Sequence, residues 1–85
     1  MNTDRRSGAG AASASVRANR LLTRVVAARG SDEHRLAAAE DGYARMRALL
    51  DTAPEDERHA IARMMLTLAD HMRRVRWDWR TNLRD

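Results

Sequence analysis

Residues 61–79 read IARMMLTLADHMRRVRWDW, and the apolar positions of this stretch decide the fold. Ile61, Met65, Leu68, Met72, Val75 and Trp79 recur at alternating intervals of four and three. Such spacing keeps side chains on one face of an α-helix, whereas a half-buried strand would need an interval of two. The pattern holds for nearly three heptads, which predicts a long helix with one continuous apolar seam.

Immediately upstream, residues 51–58 (DTAPEDER) punctuate the chain. Thr52 with Glu55 three residues on has the form of a capping box, and Pro54 suits a first helical turn, where its missing N–H is no loss. No Gly or Pro follows, so the helix is expected over about 53–82, roughly 45 Å long.

Two shorter helices precede it. The first is expected over 14–29, capped by Ser13 or Ser15 and closed by Gly30 in a left-handed C′ position. Its stripe is Ala14, Ala18, Leu21, Val25 and Ala28, widened by Leu22 and Val26. The second is expected over 32–51, capped by Ser31, with Asp32 and Glu33 favourably placed at its N-terminus. Leu36, Ala39, Tyr43, Met46 and Leu50 repeat at three and four. Gly42 interrupts this pattern and costs a helix about 1 kcal/mol relative to Ala. It either admits a close neighbour or breaks the helix, and the unbroken helix is the expectation. Residues 1–12 are small, polar and Gly-containing and are read as a flexible tail before a single domain over 13–85.

The fold class is therefore all-α: a three-helix antiparallel bundle, or a helical hairpin, with a long C-terminal helix. With 85 residues and no Phe, the core must come from Ala, Leu, Val and Met. The third helix outruns the other two, and the leftover length points to a homodimer. Ile61, Met65, Leu68, Met72, Val75 and Trp79 are the expected dimer seam.

The stretch 48–74, ALLDTAPEDERHAIARMMLTLADHMRR, resembles the helical hairpins that close the dimerisation regions of MarR-type regulators. The resemblance covers about a third of the chain and implies a dimerising helix pair. The winged helix with which such regulators bind DNA needs strands and a hairpin, which this sequence does not supply.

Charge is unevenly spread. All sixteen basic residues are Arg, against twelve acids. Residues 1–30 and 71–85 are basic, while 31–70 carry nine of the acids. Basic ends around an acidic middle can pair within the chain, between copies, or with an anionic partner.

Two Arg-rich faces are candidate sites. Arg73, Arg76, Trp77 and Arg80 fall on one side of the third helix, and Trp with Arg is the pairing most enriched in recognition hot spots. This face is the expected protein-binding site, with Trp79 assigned to the core instead. Asp70, Arg74 and Asp78 read as a surface ion-pair ladder. Arg17, Arg20 and Arg24 form a stripe on the first helix. Together with Arg84 they are possible nucleic-acid contacts, should the stripes merge into one phosphate-tracking surface.

Other chemistry is expected to be absent. Without cysteine there is no disulfide or thiolate metal site. His34, His59 and His71 have no mutual i,i+4 spacing, and no third ligand accompanies Glu55 and His59. The sequence GAGAAS lacks the strand and the Lys of a phosphate loop. No cofactor, metal or catalytic residue is assigned. No apolar run is long enough to span a membrane, and no apolar segment follows Arg5 and Arg6, so a cytoplasmic location is expected. The function expected is a non-catalytic, homodimeric protein-interaction module: a regulator, inhibitor or adaptor. A nucleic-acid-binding protein and a self-assembling structural subunit are the alternatives.

Overall fold

The computed structural model describes residues 13–84, with side chains to Asn82; the tail expected over 1–12 lies outside the described residues. Three helices pack against one another: α1 (Ala14–Ala27), α2 (Asp32–Thr52) and α3 (Glu55–Arg84). All-α is thus established. The path is up–down–up. Ser15 at the start of α1 meets Glu57 at the start of α3, and Asp32 at the start of α2 meets Asn82 near the end of α3.

The core follows a seven-residue rhythm in every helix. Ala18 and Val25 of α1 are buried, as are Ala39 and Met46 of α2 with Ala53 just after it, and Ile61, Leu68 and Val75 of α3. Three aligned heptad rows let helices pack at shallow angles with interlocking side chains. Leu21, Leu22, Tyr43, Leu49, Met64, Met65 and Met72 pack half-buried around this line. Small residues at Ala18 and Ala39 bring the backbones close, which suits a core without Phe.

Gly42 settles its own question. It lies buried inside an unbroken α2, and a Cβ there would meet Val25 of α1. The glycine is the close-approach point of α1 and α2.

Two helix ends depart from the expected form. Ser13 and Ser31 do cap α1 and α2, accepting from Val16 N–H and His34 N–H. However, α1 stops at Ala27, because Ala28 turns extended (φ −61°, ψ 137°). Gly30 holds a positive φ of 115°, two residues beyond that cap rather than at C′. The reversal into Ser31 uses Ala28 and Arg29, so they are lost to the helix. At the second turn the capping box does not form. Thr52 ends α2 and its hydroxyl donates back to the carbonyls of Ala48 and Leu49. Pro54 holds the preceding Ala53 extended (φ −72°, ψ 148°), so α3 starts only at Glu55. Arg58 closes the turn by donating at 2.9 Å to the carbonyl of Leu50, which also accepts from the Ala53 N–H.

The lengths leave α3 unevenly covered. At ~1.5 Å per residue, α1 extends about 21 Å against about 45 Å for α3. Val25 of α1 stands level with Gly42 and Leu68, two residues before α1 ends. Past that level α3 rests on α2, through the Arg76–Glu40 ion pair (3.6 Å) and the Asn82–Asp32 hydrogen bond.

Candidate functional site

The first helix presents Arg17, Arg20 and Arg24 outward, as its stripe spacing dictates, and all three are exposed. None has a carboxylate within ion-pair distance among the described residues. They line a furrow between α1 and α2 together with Arg45, over a floor that includes Leu21, Ala48 and Leu49. A second depression shares Leu21, Arg24 and Arg45 with it and continues past Gly42 toward Ala28 and His34. The furrow therefore follows most of α1. Arg45 is already engaged by Asp41 at 2.8 Å, so the three arginines of α1 supply its free positive charge.

The Arg/Trp face of α3 is divided by the structure. Trp77 is 69% exposed and shares a shallow depression with Arg73, Arg74 and Asp78. Arg76, expected on the same face, instead turns to Glu40 of α2 and is a structural tie. Arg80 is exposed and stands outside the depression. In the ladder, Asp70 holds Arg74 at 2.8 Å and stands 3.9 Å from Arg73; among the described residues Asp78 takes no part. The side chain of Arg84 is outside the described residues.

The expected dimer seam is divided as well. Ile61, Leu68 and Val75 are buried within the single chain, at 0–1% exposure, so this half of the seam is used up inside the bundle. Met65, Met72 and Trp79 flank it, half-buried. Trp79, expected in the core, is only half-buried, because α1 ends too early to reach it. It stays outside the main hydrophobic cluster.

One exposed residue gains meaning from the structure. Leu66 is 72% exposed, and eleven residues separate it from Trp77. Eleven residues make about three full turns, so the two most exposed large apolar side chains among the described residues share the outer face of α3. Leu66 lies off the heptad seam in the sequence, and the structure places it on the exposed side.

Two titratable groups are shifted. The Glu57 carboxylate accepts from the Ser15 backbone N–H at 2.8 Å, which holds its pKa below the ordinary value. An acid on α3 thus completes the N-terminus of α1, where free N–H groups favour negative charge. The His71 pKa is lowered by burial, then by the nearby positive charges of Arg35 and Arg74. No group of three metal-ligating side chains converges among the described residues. No helix among them is long and apolar enough to cross a membrane. No family model, curated protein or solved structure matches the chain.

Proposed function

We propose that the chain is a non-catalytic helical module that binds another protein and works as a homodimer joined along α3. The observation that carries the partner's chemistry is the row Arg17, Arg20 and Arg24, without an ion-pair partner among the described residues, standing over the apolar floor of the α1–α2 furrow. A helix laid in the furrow repeats at the same intervals as the row. Acids spaced three and four apart would meet the guanidiniums, while apolar residues beside them would cover Leu21 and Leu49. Each exposed ion pair contributes only about 0.2–1 kcal/mol, so the apolar contact must supply most of the affinity and the arginines the selection for acidic partners. In a cell, such a module regulates or links its target by occupying one helix of it.

The same row supports a second reading, in which it follows the phosphates of a nucleic acid. The floor argues against it. Leu21, Ala48 and Leu49 offer no aromatic face on which a base can stack, and Trp77 stands on α3, outside the furrow.

Titrating the protein into a labelled acidic amphipathic helix peptide, and separately into duplex and single-stranded oligonucleotides, tests both. The peptide is expected to bind, and Arg17→Glu with Arg20→Glu to remove that binding without changing helicity. Oligonucleotide binding whose logarithmic salt slope falls by about 0.9 per lost Arg, with no peptide binding, replaces the first reading by the second. Binding of neither overturns the furrow as a site.

A further inference from the structure

We infer that the second copy docks antiparallel on the outer face of α3, with Leu66 of each chain against Trp77 of the other. This rests on the homodimer reading above and deepens it by naming the face and the register. The face is the line Arg63, Leu66, Asp70, Arg73, Trp77 and Arg80, spaced three, four, three, four and three, opposite the buried row Ile61, Leu68 and Val75. All six line residues are exposed.

The line is self-complementary about one point. Asp70 lies four residues in from Leu66, and Arg73 lies four residues in from Trp77, so both pairs centre between His71 and Met72. A two-fold axis through that point places i against j and j against i, as an isologous contact requires. Leu66 then covers the Trp77 ring of the second copy, and Asp70 faces its Arg73, each contact occurring twice. A parallel arrangement would instead set Asp70 on Asp70 and Arg73 on Arg73. Within one chain the Asp70–Arg73 approach is loose, at 3.9 Å, and the tighter Arg74 contact uses the other carboxylate oxygen, Oδ2. Oδ1 of Asp70 is therefore placed to accept from the second copy's Arg73.

Arg63 and Arg80 fall three residues outside the apolar anchors and meet each other, like charge against like. They sit at the ends of the contact, in solvent, and limit its strength. The contact spans about four turns of one helix per chain, which places it at the small end of protein interfaces, near or below ~1,200 Å². A dimer that dissociates on dilution is the expected form.

The absence of cysteine from the chain makes the register directly testable. Sedimentation of the full chain from micromolar to millimolar concentration should show a monomer–dimer equilibrium. Chains carrying Leu66→Cys and Trp77→Cys, mixed and mildly oxidised, should join 66 to 77, while Leu66→Cys alone should stay unlinked, its thiols about 16 Å apart. Asp70→Arg should weaken the dimer by about tenfold or more, and Asp70→Arg with Arg73→Asp should restore it. All four positions are exposed, so the bundle keeps its core in every variant. A monomer at every concentration overturns both this inference and the homodimer reading. A dimer that links 66 to 66, or that ignores Asp70→Arg, overturns the register alone.

Discussion

Gly42 of α2 and Val25 of α1 pack so closely that a methyl group at position 42 would stand 2.5 Å from Val25 Cγ2. The contact sets the spacing of the two helices, and through it the width of the furrow whose wall Gly42 shares. Gly42→Ala gains about 1 kcal/mol of helix propensity and incurs about 1–3 kcal/mol of overpacking. The expected result is a lower urea midpoint. Adding Val25→Ala, which removes Cγ2, should recover part of the loss. A Gly42→Ala chain as stable as the parent would mean that α1 can move aside without cost.

Leu66 and Leu68 form an internal control, being the same residue type two positions apart. Leu68 is fully buried and Leu66 is 72% exposed. Leu68→Ala should cost about 2–5 kcal/mol, with the cavity adding to the lost burial. In dilute monomer, Leu66→Ala should stay within about 0.5 kcal/mol. Denaturation of both variants side by side checks the face assignment of α3; equal losses would contradict it.

Glu57 gives stability an acid-side dependence of known sign. Its pKa is lowered in the folded chain by the Ser15 N–H, so its contribution is complete above the unfolded value and is lost as pH falls through the folded one. Glu57→Gln should flatten that part of the curve. The check is the difference in urea midpoint between parent and variant from neutral pH into the acid range, which should narrow as pH falls. A constant difference would show that the charge on Glu57 does not matter.

His71 acts in the same direction at higher pH. Burial and the charges of Arg35 and Arg74 lower its pKa from the ordinary 6.5, so the folded chain favours the neutral ring. Its contribution is full above 6.5 and declines as pH falls through the lowered folded value. Proton titration of the His71 ring by NMR should place its midpoint below 6.5, and His71→Asn should remove the loss of stability across that window. A midpoint at or above 6.5 would refute the environment described.

The helices were legible because their signals are local. Heptad spacing, two serine caps and one proline placed all three elements to within two residues at each end. The misses are those in which distant residues decide. Thr52 matches a capping box as written, yet Pro54 constrains Ala53 and leaves Thr52 in α2. Arg76 lies near Trp77 on a helical projection, but the carboxylate that claims it is Glu40, on another helix. Trp79 continues the seam by period, and only the length of α1 shows that the seam has lost one of its walls there. The α1–α2 furrow was half visible, as the row Arg17, Arg20 and Arg24; that Arg45, Ala48 and Leu49 complete it follows from the antiparallel pairing of α2.

The short first helix has a consequence for anyone following this protein by its own light emission. Both tryptophans lie on the part of α3 past the end of α1, where, among the described residues, α2 supports the chain. Segments with few packed neighbours open at lower free energy than the body to which they belong. Trp77 and Trp79 therefore report the fraying of one overhang, while circular dichroism reports all three helices. In dilute monomer, the fluorescence melt should precede the ellipticity melt, and amide exchange should slow along α3 from Asn82 back toward Leu68. One helix then carries a graded stability, fixed at the end shared with both neighbours and yielding at the other.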